Sequence, residues 1–170
     1  ASSLLAYLKE TQKSNLSHIK KLTPYWAKDY LRLDSTTVSN LELFYTLRGQ
    51  KKEGTLIDVL DKTHTAGGGR KLKQWLLQPL TKKEKIEKRL KAVEILKNQI
   101  NKREHLQEIL SEILDMERLM SRIAVGTANP RDLIGLKSSL KNTLKTAQFL
   151  EKNLPELKYL FSKDLQNEIK

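Results

Sequence analysis

The chain has 170 residues, which makes one domain or one domain with an appendage and is enough to bury a sizeable core. Its 38% hydrophobic, 31% charged and 6% aromatic residues favour helix over sheet, and its net charge of +12 points to polyanions as a partner class to test. No run reaches the ~18 apolar residues of a membrane span, Ala1 to Glu10 lacks the basic-then-apolar order of a signal peptide, and the lack of cysteine excludes disulfides and thiolate metal sites, as suits a reducing cytoplasm.

Residues 3 to 13 read as a short helix, with Leu4, Leu5 and Leu8 on one side and Tyr7 beside them. His18 to Leu33 has strand character. Ile19, Leu22, Tyr25, Tyr30 and Leu33 are interrupted by Pro24 and a Lys28-Asp29 turn, which predicts a small two-stranded ribbon. From Asp34 on, everything reads as helix. Asp34 or Ser35 caps a helix carrying Val38, Leu41 and Leu43, and Gly49 to Gly54 is a flexible break. Thr55 caps a helix with Leu56, Val59 and Leu60 at i, i+3, i+4 spacing. After Gly67-Gly68-Gly69 comes a helix striped by Leu72, Trp75 and Leu76, which Pro79 stops. Trp75 is expected in the core.

Thr81 and Glu84 form a capping-box pattern ahead of a helix whose Ile86, Leu90, Val93 and Leu96 share a face. The next helix is expected to bury Leu106, Ile109, Leu110, Ile113 and Leu114. A bend near Asp115 leads to Met116, Leu119, Met120 and Ile123. Asn129-Pro130-Arg131-Asp132 is a strong helix start, with a capping Asn, Pro in the first turn and Asp at the positive end of the dipole. That helix is predicted to run to about Lys152, with Leu133, Leu136, Leu140, Leu144 and Ala147 in phase. Pro155 breaks the pattern.

Much of the positive charge lies between residues 70 and 105, where twelve Lys or Arg face four Glu. Two readings of this segment stand: a solvated lysine-rich helix face, or a phosphate-binding surface centred on Lys82, Lys83, Lys85 and Lys91. The scarcity of Arg speaks against base reading. Gly67-Gly68-Gly69-Arg70-Lys71 is no Walker loop, because the Lys precedes Leu72 and no core strand leads into it. His18, His64 and His105 are far apart and lack carboxylates at metal-ligand spacing. The carboxylates are interleaved with cations as helical ion pairs: Glu84 with Lys88, Glu87 with Lys91, and Glu117 with Arg118 and Arg122. Arg118 and Arg122 are expected to brace helices through Asp115 or Asp132. No catalytic constellation, metal site or cofactor site is apparent.

Five segments together resemble the core domain of the MutS family of DNA mismatch repair proteins. LLAYLKETQK (4 to 13) looks like the helix by which that family enters its core. YLRLDSTTVSNLEL (30 to 43) is similar to the pattern LDxxTxxNLEL. LDKTHTAGGGRKLKQWLLQPL (60 to 80) is similar to LDxTxTxxGxRxLxxWLxxPL, and IEKRLKAVEIL and DMERLMSRIAVGTANPRDL follow in order. Each is weak alone, and the order and spacing make the set specific. Gly67 and Gly69 depart from the pattern, which usually has larger residues beside Gly68.

The resemblance implies a mostly α fold of the MutS core and lever type. Residues 1–34 would form the leading helix and a short β-ribbon, and residues 35–170 the helical core with the first part of the lever helices. The mismatch-reading, clamp and ATPase domains are expected to be absent. It also implies a parent protein that is a cytoplasmic, nucleoid-associated homodimer, binds double-stranded mismatched DNA and uses ATP and Mg, while this stretch carries no catalytic site and transmits force. The residues implied in that role are Asp34, Arg70, Trp75, Arg118, Arg122 and Asn129. The competing readings are a stand-alone basic helical module that binds nucleic acid, and a helical scaffold for protein partners.

Overall fold

The computed structural model describes residues 29–160 and, ahead of them, positions 3, 7, 10 and 11. Those four early positions are helical. The rest of the expected leading helix, and the ribbon residues before Asp29, lie outside the described residues. Where the ribbon was expected to end, Tyr30 instead forms an isolated antiparallel bridge with Leu80. The Leu31 N–H donates to the Pro79 carbonyl at 2.8 Å, and the Thr81 N–H donates to the Asp29 carbonyl at 3.3 Å.

The described chain is helical: α1 Ser35–Asn40, α2 Leu56–Leu60, α3 Ala66–Leu77, α4 Lys83–Asn98, α5 Ile100–Ser111, α6 Met116–Val125, α7 Pro130–Asn153, and a closing 3-10 helix, Pro155–Leu160. Polar caps set most of the starts. Asp34 accepts the Thr37 N–H, Thr55 that of Asp58, Thr65 that of Gly68 and Asp115 that of Arg118. Asn129 and Asp132 form a reciprocal capping box on α7. Each satisfies an N–H that a helix start otherwise leaves without a partner.

α4 starts one residue past Thr81, after Lys82, whose side chain makes no cap bond. The Gly49–Gly54 break is a hydrogen-bonded loop. The Thr46 N–H donates to the Lys51 carbonyl at 2.9 Å, and the Leu47 N–H donates to the Glu42 carboxylate at 2.6 Å. Gly49 and Gly54 take φ of +88 and +83, a region costly for residues with a Cβ.

α7 is the organising element. It packs against α5, α6 and the 3-10 helix, and α4 packs on α5. The core joins Ala92, Leu106, Leu150, Leu154 and Leu157, with Ile95, Leu96, Leu110 and Phe149 around them. The Lys102 ammonium donates to the Asn153 carbonyl at 2.8 Å, so a cation sits at the negative end of α7. α4 and α5 meet at Gln99, which caps the end of one and the start of the other. A second, smaller buried knot joins Leu43, Thr55 and Ile57, where the Ile57 N–H donates to the Leu43 carbonyl at 3.0 Å.

Several predicted apolar faces point the other way. α2 buries Ile57 while Leu56, Val59 and Leu60 are exposed. α4 buries Ala92 and exposes Ile86, Leu90 and Val93. Leu114 is exposed, and of the stretch around it only Leu106 is fully buried. α7 keeps Ala147 inside but turns Leu133, Leu140 and Leu144 outward and buries Ser139, Asn142 and Thr146. In α7 the contact is close at Gly135, where a Cβ would meet the Leu114 Cδ1 at 2.8 Å.

Candidate functional site

The polar residues of the sequence motifs converge on the junction of α3, α6 and α7. The turn before α3 begins with Asp61, whose carboxylate accepts from the Thr63 hydroxyl at 2.7 Å and the Thr63 N–H at 3.3 Å. The Thr63 hydroxyl bond is the main reason its pKa lies below the ordinary carboxylate value. Thr65 then caps α3 through the Gly68 N–H at 2.9 Å. A Cβ on Gly68 would stand 2.9 Å from that capping oxygen, so the motif glycine is required by its own cap.

One turn on, Arg70 leaves α3 and crosses to α6. Its guanidinium grips Asp115 with two bonds, Nη1 to Oδ2 at 3.1 Å and Nη2 to Oδ1 at 2.9 Å, while Nε reaches the Glu117 carboxylate at 2.9 Å. The Asp115 bonds raise the pKa of Arg70 and hold that of Asp115 below its usual range. A fork-on-carboxylate pair fixes orientation as well as distance. Further along α6, Arg122 donates to Asp132 at 3.0 Å. Asp132 also accepts the Asn129 N–H, the larger cause of its lowered pKa. Gly126, at φ +77, lets the chain turn between the two. Deeper in, the buried Ser139 hydroxyl accepts the Leu114 N–H at 3.0 Å and donates to the Gly135 carbonyl at 2.8 Å, tying the end of α5 to α7.

The structure therefore brings Arg70, Arg122 and Asn129 into one linked junction and places Asp34 apart, as the cap of α1. Arg118 contributes its backbone N–H to Asp115, its guanidinium makes no ion pair among the described residues, and Asp115 is held by Arg70. Glu117 pairs with Arg70 rather than with Arg118 or Arg122, and Glu87 pairs with Lys83. Trp75 is not in the core: it is 40% exposed, and the Arg89 guanidinium lies 3.7 Å over its ring. This cation–π contact clamps α3 to α4, and burial beside the ring lowers the pKa of Arg89. His105 stacks near Phe149 at 5.0 Å and approaches Glu108 at 3.3 Å, and no group of three metal-ligating residues occurs among the described residues.

The four lysines proposed for DNA divide. Lys82 and Lys85 both bind the Asp29 carboxylate, at 2.7 and 2.8 Å. Those bonds, Lys82 first, lower the pKa of Asp29 to about 2. Lys83 makes a loose pair with Glu87 at 3.7 Å, and Lys91 is exposed. Sequence reading passed over Asp29, Arg89 and Ser139. Asp29 read as a turn residue, and nothing local marks a carboxylate that will meet two lysines over fifty residues away. A cleft of about 280 Å³ between the loop after α1 and α3 is lined by Phe44, Tyr45, Ile57 and Leu77 with Lys52 and Lys73, a lining without a carboxylate or histidine.

The sequence model of the family described as MutS domain III matches residues 36–170. The chain belongs to this MutS family. It is 48% identical to the DNA mismatch repair protein MutS of Caldanaerobacter subterraneus subsp. tengcongensis over 88% of the chain, and 45% identical to that of Alkaliphilus oremlandii over 95%. It is 46% identical to the MutS of Bacillus cytotoxicus over 81%. The chain spans 17% of the length of the first two relatives and 15% of the third. The mostly α fold agrees with the MutS domain III family. No described helix is long and apolar enough to cross a membrane.

Proposed function

We propose that this MutS domain III is the mechanical core of a DNA mismatch repair protein, coupling its grip on mismatched duplex to ATP and Mg bound elsewhere in a longer, dimeric cytoplasmic polypeptide. In this reading the chain itself is not catalytic. The observation that carries it is the Arg70 bridge. One residue of α3 holds two carboxylates at the start of α6, and α6 in turn holds the start of α7 through Arg122 and Asp132. Such a linked set of directional pairs makes or breaks as a unit, which suits an element with two discrete arrangements.

The test is Arg70→Ala and Arg122→Ala in the full-length protein, following ATP-driven release from a G·T duplex. A coupling of ~1–3 kcal/mol corresponds to a change of roughly fivefold or more in the linked equilibrium. Release unchanged in both variants would argue against the reading. The basic-module reading rests on the exposure of Lys83 and Lys91. It predicts that the chain alone binds duplex with steep salt dependence that those lysines titrate. Because Lys82 and Lys85 are engaged by Asp29, weak binding without mismatch preference is the result we expect.

A further inference from the structure

The bridge between α3 and α6 leaves one cation over. Arg118 follows the cap Asp115 by three residues, and its backbone N–H donates to Asp115 Oδ1 at 3.4 Å. Its guanidinium is exposed and makes no ion pair among the described residues. A side chain at this position leans back over the start of its helix, the reach by which a capping box closes. Residues at i, i+3 on a helix surface are within pairing distance. Arg118 is also coupled by charge to both carboxylates of the junction. Behind the Arg70 bonds it helps hold Asp115 below its ordinary pKa, and behind Asn129 and Arg122 it does the same for Asp132. The pairs are open enough to exchange: Arg70 is 44% and Asp115 31% exposed, and Glu117, the other partner of Arg70, is 76% exposed.

We propose that Arg118 is the exchange partner of Asp115: when α3 draws Arg70 away, the Arg118 guanidinium swings back along α6 and takes the carboxylate. Asp115 is then paired in both arrangements, and its bond to the Arg118 N–H keeps α6 capped throughout. What is lost is the grip between helices, because Arg70 keeps only its Nε contact with Glu117. A carboxylate with a substitute cation on its own helix releases a cation on another helix more readily, since no charge is stranded at the junction. The two guanidinium groups repel one another at a single carboxylate, which favours one or the other. In the mechanical reading above, on which this rests, the swap supplies the second of the two arrangements.

The test follows the Arg118 Nε–H and the Asp115 carboxyl by NMR in this chain. In the intact chain the Arg118 Nε–H should exchange quickly with water, as an unpaired guanidinium does. Arg70→Ala should slow that exchange about fivefold or more. Adding Asp115→Asn should restore the fast exchange, because Asn keeps the cap of α6 and drops the charge. Arg70→Gln, which keeps part of the side-chain stem, repeats the comparison should the Ala variant unfold. The titration midpoint of Asp115 is the second readout. Arg70→Ala and Arg118→Ala should each raise it a little, and the double variant by more than the two together. An Arg118 Nε–H that stays fast in both Arg70 variants overturns the exchange, and so do additive midpoints. ATP-driven release unchanged by Arg70→Ala in the full-length protein would instead remove the mechanical reading and leave the swap standing, so the two failures are distinct.

Discussion

The two halves of the described chain are held together by different physics. From Asp29 to Lys82, apart from the small buried knot at Leu43 and Ile57, order comes from polar bonds: caps at Asp34, Thr55 and Thr65, the Asp61–Thr63 turn, the Asp29 bracket and the Arg70 grip. α3 has no fully buried residue at all. From Lys83 on, α4, α5, α7 and the 3-10 helix close around leucines, and Leu154 and Leu157 are fully shielded from water. A segment kept in place by oriented hydrogen bonds and exposed ion pairs responds to charge and salt. One kept in place by packing responds to volume.

The largest effect should come from the packed half. Leu157→Ala is expected to cost about 2–5 kcal/mol, read by urea unfolding, because the loss of transfer free energy and the cavity add. A cost under about 1 kcal/mol would erase the contrast. Next is Ser139→Ala, which leaves the Leu114 N–H without its acceptor and should cost about 1–3 kcal/mol. In the polar half, Thr65→Ala should cost about 1 kcal/mol through the lost cap of α3. Gly67→Ala should have the opposite sign, stabilising by up to about 1 kcal/mol, because a Cβ there meets nothing within 4 Å. Both are measurable by thermal melting, and a destabilising Gly67→Ala would show that the start of α3 depends on more than its cap.

The smallest effect is electrostatic. Asp29 has a folded pKa of about 2 against an ordinary value of 3.8. The bracket's contribution is therefore full above the ordinary value and fades as pH falls from there towards about 2. A carbon-detected NMR titration of the Asp29 carboxyl should show that low midpoint, and Lys82→Ala should move it upward. A midpoint near the ordinary value in the intact chain would mean that the two lysines do not hold Asp29 in solution.

What the sequence made legible follows the same division. Asp34, Thr55 and Asn129 were readable as caps because a cap depends on neighbours three residues away. The bend at Asp115 and the long helix from Pro130 were readable for the same reason. Burial was not. Periodicity in α2, α4 and α7 locates an apolar stripe, and it carries no information about which side the neighbouring helices occupy. In α7 the inward side carries Ser139, Asn142 and Thr146 with Ala147 and Leu150, and Ser139 accepts the Leu114 N–H there. Arg70 stood out only through the family resemblance, since its partner Asp115 lies forty-five residues further on. Trp75 read as core because a tryptophan among leucines usually is, and its partner Arg89 belongs to the next helix.

Gln99 joins α4 to α5 with no other residue between them. The joint is therefore tolerant in one respect and intolerant in another. Its side chain makes no capping bond at the start of α5, so many residue types could stand there. Its length is fixed. One residue added and absorbed into α5 would turn that helix by about 100° and swing Leu106 off the core it shares with Leu150. Substitutions can accumulate at this position, while insertions and deletions are expected to be lost.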